Sequence, residues 1–302
     1  MPSPCTPATA HLIVSPLYIM IRVFTHKSNW TPKDDLSFVG DPSLFRPTDD
    51  IPVRISCVFT WRIEEAERLK RSWSRFYSDV QVGGPAYDDR GNVFVPGRFV
   101  KYGITITSRG CPNDCEWCLV PRREGKIREL PIMPGWNVND NNLLACSEGH
   151  IERVFDMLRE QKTPIVFSGG LDARIFGERH ADLLRSINLG EAWFACDYPG
   201  AIDELKNVAE LLPDINPRKK RTYVLTGFNG DTISQAEKRL ETVFNFGFWP
   251  FAMLYRSSEA LKRNEWSKDW LKLQKIWTRP ALFKTKMANK PFQGMQKDAP
   301  LN

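Results

Sequence analysis

The chain has 302 residues, of which 42% are hydrophobic, which is enough for one large domain with an extension or for two small ones. Seven cysteines without an export signal favour a reducing cytoplasm, and the apolar run over residues 11–24 is too short to span a membrane. The formal net charge is +6, but the segment from Arg256 onward, with eleven Lys and Arg against four Asp and Glu, carries +7 by itself. A membrane partner is therefore not expected, and the positive charge is concentrated at the carboxyl end.

The first 102 residues are predicted to form a tail and a small βαβ extension. Residues 1–20 are expected to be disordered, and residues 26–50 are rich in loop-forming Asp, Gly and Pro. Alternating or β-branched patterns predict strands over residues 21–25, 53–60 and 79–85. A helix is predicted over residues 64–76, with an apolar face made of Ala66, Leu69, Trp73 and Phe76.

From residue 103 onward the predicted strands and helices alternate. Short apolar patterns predict strands over residues 104–107, 137–140, 164–168, 192–196, 222–226 and 248–255. Between them, helices are predicted over residues 148–161, 178–187, 201–212 and 232–246. About six βα units with nearly continuous apolar strands indicate a parallel α/β sheet, in which active residues lie at the carboxyl ends of the strands.

Three closely spaced cysteines follow the first of these strands. Cys111, Cys115 and Cys118 form a C-x3-C-x2-C pattern, so three thiolates lie within eight residues. Such a loop can bind three irons of a [4Fe–4S] cluster, which normally takes four cysteines, and it leaves one iron open to a small molecule. The alternative is structural zinc, for which Cys146 or His150 would have to supply a fourth ligand. Disulfides are not favoured in a chain without an export signal.

This cysteine pattern resembles the signature of the radical S-adenosylmethionine (radical SAM) superfamily, and the resemblance covers about residues 104–255. It implies a partial (β/α)6 barrel, a [4Fe–4S] cluster on the three cysteines, and S-adenosylmethionine (SAM) bound to the open iron. It further implies an enzyme in which SAM is cleaved reductively and the 5′-deoxyadenosyl radical abstracts hydrogen from an unidentified substrate. A flavodoxin or a ferredoxin is expected as the electron donor. The expected divisions of the chain are the tail 1–20, the extension 21–102, the barrel 103–256 and a basic helical tail 257–302.

The resemblance also suggests which residues contact SAM. Trp117 precedes the third cysteine, where radical SAM proteins usually carry an aromatic residue near the adenine. The pair Gly169–Gly170 matches the position of a Gly-Gly-Glu motif that binds the SAM amino group, but Leu171 replaces the glutamate. Asp172 and Arg174 are the nearest charged residues that can compensate, the first for the ammonium and the second for the carboxylate. A tight strand-to-loop turn that needs glycine is the alternative for the pair.

Polar residues follow other predicted strands. Asp140 and Asn142 end the second strand, and Asp197 ends the fourth, where it is a candidate for the ribose hydroxyls or the substrate. Cys196 is a candidate hydrogen-atom donor to a substrate radical, or else a small buried thiol. Gly227 opens the loop after the fifth strand, which resembles a Gly-x-Pro-Gly-Glu-Thr loop of many radical SAM proteins. These residues complete the predicted SAM site.

The substrate class is open between a small molecule and RNA. Residues 118–128 resemble the run after the cluster in tRNA methylthiotransferases, and the basic tail adds positive charge. Residues 82–85 resemble a strand end of the cobalamin-binding domains that precede some radical SAM barrels, although the cobalt-ligating Asp-x-His-x-x-Gly motif is missing. A zinc-stabilised nucleic-acid-binding protein without catalysis is the alternative of another class. The aromatic residues of the tail, which either contact nucleic acid or pack on the barrel, are Trp266, Trp270, Trp277 and Phe283.

Overall fold

The computed structural model describes residues 19–88, 94–256 and 266–288. The chain divides into two compact units, Met1–Asp89 and Arg90–Asn302. Residues 94–102 therefore group with the second unit, whereas the sequence had placed them in the extension. Most of the expected amino-terminal tail, and residues 257–265 and 289–302 of the expected carboxy-terminal tail, lie outside the described residues.

The first unit is a four-stranded parallel sheet with one α-helix. Its strands are β1 Ile21–Phe24, β2 Ser37–Val39, β3 Val53–Ser56 and β4 Val80–Gly83. They pair in the order β2-β1-β3-β4, and helix α1, Ile63–Trp73, follows β3. Strand β2 was not predicted, because its three residues lie within a segment rich in loop formers.

Helix α1 packs its predicted apolar face against this sheet, with one exception. Ala66, Leu69 and Trp73 are fully buried, and the Trp73 indole N–H donates to the Gly40 carbonyl at 3.0 Å. Phe76 was predicted to share this face, but 51% of it is exposed. The reason is that α1 ends at Trp73, so the helical periodicity no longer aims Phe76 at the core.

The second unit is built on a six-stranded parallel sheet. The described residues of this unit form eight strands, which are β5 Ile104–Thr105, β6 Ser108–Arg109, β7 Arg128–Glu129, β8 Asn137–Val138, β9 Ile165–Leu171, β10 Leu189–Cys196, β11 Lys220–Thr226 and β12 Trp249–Leu254. Six of them pair in the order β12-β11-β10-β9-β8-β5, whereas β6 and β7 form a separate antiparallel pair. All the pairs in the six-stranded sheet are parallel, so the predicted α/β class with a parallel sheet is confirmed.

Helices connect these strands along the chain, and two more helices follow the last strand. They are α2 Val120–Arg123, α3 Glu148–Arg159, α4 Glu178–Arg185, α5 Ala201–Leu211, α6 Ile233–Asn245, α7 Lys268–Trp277 and α8 Pro280–Ala288. Ser147 caps α3 by accepting from the His150 N–H, as its position before the helix predicts. Residues of α3 to α6 share one apolar core with alternate residues of the sheet, so these helices cover the same face. The opposite face carries the contacting rings of Trp193, Tyr223 and Phe251.

The aromatic residues of the carboxy-terminal helices point inward. Trp277 and Phe283 are fully buried in the core of the second unit and stack at 5.9 Å, and Trp270 packs against the same core. For these three residues the structure favours packing over contact with nucleic acid. Within the described parts of the chain, no helix is long and apolar enough to cross a membrane.

Candidate functional site

The three-cysteine loop is closed at its base by strands β6 and β7. Ser108 pairs with Glu129 there, and the Cys111 N–H donates to the Gly125 carbonyl at 3.1 Å. Gly110 has a φ of 86°, and a Cβ at this position would lie 2.1 Å from the Lys126 carbonyl oxygen. The close approach of these two backbone segments therefore requires glycine before the first cysteine.

The three thiols are half-buried and lie within electrostatic range of one another. Burial raises the pKa of Cys118, and negative charge on Cys115 and Cys111 raises it further. Two N–H donors approach the sulfurs from outside the loop. The Asn142 amide nitrogen lies 3.5 Å from the Cys111 sulfur, and a guanidinium nitrogen of Arg174 lies 3.9 Å from the Cys115 sulfur. The loop thus presents three sulfurs to one region of the surface, with donors beside two of them.

Asp140 anchors the start of this loop. Its carboxylate accepts from the Thr107 N–H at 2.6 Å, the Thr107 hydroxyl at 2.5 Å and the Ser108 hydroxyl at 2.9 Å. Only 2% of Asp140 is exposed, and this burial raises its pKa. The neighbouring Asn141 accepts from the Gly110 N–H at 3.0 Å. The predicted SAM contact of Asp140 stays a prediction, but its oxygens already hold the loop.

Asp140→Ala is expected to lower the free energy of unfolding by about 1–3 kcal/mol, because the Thr107 N–H is left buried without an acceptor. A urea titration of the iron-free protein measures this difference. The matched control is Asn139→Ala, since Asn139 is half-buried beside Asp140 and its backbone N–H, not its side chain, makes the bond to Thr105. Equal stability of the two variants would show that Asp140 does not anchor the loop.

Asn142 has an unpaired acceptor at the site. Its amide nitrogen donates to the Asp172 carboxylate at 2.9 Å as well as facing Cys111, so both of its N–H groups are used. A carboxylate only accepts, and this fixes the orientation of the amide. The amide oxygen is then buried without a hydrogen-bond partner among the described residues. A buried acceptor left in this way is costly, and it fits a donor on a bound molecule.

Asp172 and Arg174 form an ion pair next to the loop. The guanidinium donates to both carboxylate oxygens, at 2.7 and 2.9 Å, and Asn113 of the cysteine loop donates to the same carboxylate at 2.9 Å. Burial alone would raise the pKa of Asp172, but these hydrogen bonds and that from Asn142 outweigh it and lower the pKa. Asp172 is therefore ionised, and the site presents one fixed anion beside one fixed cation.

The glycine pair lies inside a strand and does not end it. Strand β9 continues to Leu171, although the sequence predicted that the strand would end before Gly169. Its register against β10 shifts across this segment, which marks a β-bulge. A Cβ at Gly169 would lie 2.1 Å from the Asp140 carbonyl oxygen, and Gly170 has a φ of 91°. Close packing and backbone conformation thus account for both glycines, and their contact with SAM stays a prediction.

Aromatic rings lie beside the predicted ribose-binding carboxylate. Trp117 hydrogen-bonds to Asp197, and its ring lies 6.0 Å from Tyr198 and 5.8 Å from Phe228. Burial raises the pKa of Asp197 to about 6, against the opposing effect of the Trp117 hydrogen bond. Asp197 also contributes to the raised pKa of Cys118, so this aromatic group adjoins the cysteine loop.

The surroundings of Cys196 and Gly227 indicate that both residues have a structural role. Cys196 is fully buried in the core between sheet and helices, and burial raises its pKa to about 12. This position favours the buried-thiol interpretation over hydrogen-atom donation. The Gly227 N–H donates to Asp231 at 2.9 Å, and a Cβ at Gly227 would lie 2.5 Å from the Trp266 ring. Gly227 therefore connects the loop after β11 to the carboxy-terminal segment.

Three residues of this site were not predicted. The fold places Asn113 beside Asp172, and it places Tyr198 and Phe228 beside Trp117. A usable signal existed, because each lies in the cysteine loop or within two residues of a strand's carboxyl end.

Comparison with known proteins does not assign the chain to a family. No protein-family model matches the chain, and no curated protein is significantly similar to it. Among the described residues, no three His, Cys, Asp or Glu side chains are grouped closely enough to hold a single metal ion. A cluster makes a different geometric demand, because its cysteines bind separate irons.

Proposed function

We propose that the chain is a radical SAM enzyme that carries a [4Fe–4S] cluster on Cys111, Cys115 and Cys118. The observation that carries the proposal is the arrangement around these thiols. Two N–H donors face two of the sulfurs, and an ionised Asp172–Arg174 pair lies in the same network. Structural zinc is closed by four protein ligands, whereas an open iron with an amino-acid ligand calls for a charged pair beside the thiols.

The donor set fits an iron–sulfur cluster. Thiolates are the usual ligands of such clusters, and three of them come from one loop. N–H groups directed at the sulfurs, like those of Asn142 and Arg174, stabilise negative charge on a bound cluster. When bound, the cluster supplies the electron that cleaves SAM. The residues of the chain hold the ligand beside it.

The charged pair is complementary to the amino-acid part of SAM. In the proposed complex, Arg174 binds the carboxylate through the guanidinium N–H groups that Asp172 does not use. The unpaired Asn142 amide oxygen accepts a hydrogen bond from the ammonium group, and the negative charge of the nearby Asp172 attracts it. In this assignment, Asn142 and Asp172 take the role of the glutamate in the Gly-Gly-Glu motif, whose position is occupied by Leu171 in this chain. The assignment also explains why a buried acceptor next to the loop has no partner among the residues that the structure describes.

The aromatic residues suit the adenosine part. Trp117, Tyr198 and Phe228 offer ring faces for the adenine at the carboxyl ends of β10 and β11. Asp197, held by Trp117, can accept from the ribose hydroxyls. The order of the sheet supports the proposed fold, because its six strands, β5 and β8 to β12, follow one another in chain order with helices on one face, as in a partial (β/α)6 barrel.

The test of the function is the metal content and the reaction of SAM. Protein purified without oxygen and reconstituted with iron and sulfide should be brown and carry about four irons per chain. With dithionite and SAM it should release 5′-deoxyadenosine, which chromatography measures even when the substrate is unidentified. The sample without reductant is the control and should release none.

Other results would contradict the proposal. One zinc per chain, with no iron retained after reconstitution, would support the zinc-stabilised binding protein instead. Four irons per chain without any cleavage of SAM would leave an iron–sulfur protein of another kind.

A further inference from the structure

The carboxy-terminal helix α7 has two opposite faces. Its inner face places Trp270, Leu273 and Trp277 at helical spacing against the core of the second unit, and Trp266, just before the helix, continues this row against Gly227. The outer face repeats the same spacing with cations only. These residues, the basic row, are Lys268, Lys272, Lys275 and Arg279, and all four are exposed. The two rows are two residues out of phase, which sets them on opposite sides of the helix.

The basic row makes no ion pair within the described residues, and Asp269 of the same helix is the acidic residue beside it. None of its four members has an acidic partner there, whereas exposed arginines of α4 do. Arg179 pairs with Glu148 and Glu152, and Arg185 pairs with Asp182 and Asp214. The row is therefore a concentration of positive charge in which four cations stand beside the one carboxylate of Asp269, unlike the paired arginines of α4.

The basic row runs along the side of the sheet. At one end Trp266 packs on Gly227, in the loop that follows β11 at the carboxyl ends of the strands. At the other end, Lys284 of α8 and Arg218 lie 5.7 and 5.9 Å from the ring of Trp249, the first residue of β12. The positive charge thus extends from the face with the cysteine loop to the amino ends of the strands.

We infer that this basic row binds the phosphate backbone of RNA. Interfaces with other proteins are depleted in lysine and centred on apolar residues, whereas those with nucleic acids are strongly positive. An anionic membrane is disfavoured because the apolar face of α7 is packed inward, which leaves Leu271 as the large exposed apolar side chain of this helix. Phosphates spaced along a strand match a line of lysines, each of which neutralises one of them.

RNA also fits the cysteine site at the strand ends better than duplex DNA. Loops and bulges of RNA offer unpaired nucleotides that reach a site at the strand ends without the breaking of base pairs. That the bound RNA is the substrate rests on the proposed function. The binding itself rests only on the charges of the described residues.

The experiment measures the binding of a fluorescently labelled RNA stem-loop by anisotropy over a range of salt concentrations. The variant Lys268→Ala/Lys272→Ala/Lys275→Ala should bind the RNA more weakly. The slope of the plot of log K against log salt concentration should be less steep for this variant by about two units. The matched control is Lys162→Ala/Lys206→Ala/Lys238→Ala, which removes the same charge from exposed lysines on other segments. The control should keep the slope and the affinity of the unmodified chain.

Several outcomes would overturn the inference. They are equal slopes for the basic-row variant and the unmodified chain, equal losses in both triple variants, and equally tight binding of single-stranded DNA of the same sequence, of polyglutamate or of anionic vesicles. Iron content and SAM cleavage are measured on the same samples and should not change in the basic-row variant. Failure of RNA binding and failure of the radical SAM assignment are therefore seen in separate assays.

Discussion

Cys115→Ala is expected to abolish the retention of iron and the release of 5′-deoxyadenosine from SAM. Only three thiols are available in the loop, so the loss of one leaves two of the cluster's irons without a cysteine. Cys115 is also the thiol that Arg174 approaches, at 3.9 Å. Its removal therefore takes away both a ligand and the sulfur that links the cluster to the charged pair. Iron analysis and chromatography of the reconstituted variant measure the two effects.

The matched control is Cys146→Ala. Cys146 is half-buried like Cys115, and burial raises its pKa to about 11. It is also one of the two residues that could complete a zinc site. Under the cluster assignment, Cys146→Ala keeps its iron and its cleavage activity. Loss of metal in this control would favour the zinc site, and unchanged cleavage in Cys115→Ala would place the cluster on other residues.

The elements of the second unit were predictable from local patterns. Helix α3 shows why, because Ser147 supplies a cap and Ile151, Val154, Phe155 and Leu158 recur at helical spacing, and all four are buried. Strand β2 had no such signal, since its three residues are too few to show an alternation. The bulge of β9 was also missed, because glycine ends a strand pattern as readily as it interrupts one.

The site was harder to predict than the fold. The three cysteines were recognisable because their spacing is local, but the partners of Asp140 lie 32 and 33 residues earlier in the chain. Sequence position places Asp140 at a strand end without saying which way its carboxylate points. For Cys196 the two-residue period of a strand did contain the answer, because Ala192 and Phe194 of β10 share its buried face. Asp197 follows the end of β10, so this period does not decide where its side chain lies.

Arg174→Ala is expected to weaken the binding of SAM by a factor of about ten to one hundred, with the iron content unchanged. A charge-assisted hydrogen bond contributes about 1.5–3 kcal/mol, which corresponds to that range of affinity. Asp172 keeps its donors from Asn113 and Asn142 in this variant, so the carboxylate stays in place and the effect reports on the lost cation. Arg174→Lys should lie between the two proteins, because lysine keeps the charge but not the bidentate fork. Calorimetric titration of the anaerobic protein with SAM gives the dissociation constants.

Arg179→Ala is the matched control for this experiment. Arg179 is also paired with carboxylates, Glu148 and Glu152, but these lie on α3 and none of its contacts involves the cysteine loop. Its loss should leave the affinity for SAM as it is. If Arg174→Ala binds SAM as tightly as the unmodified chain, then Arg174 serves only its ion pair with Asp172. The carboxylate of SAM would then have to bind in the loop after β11, where the Gly227 N–H is already committed to Asp231, because both N–H groups of Asn142 already donate within the site.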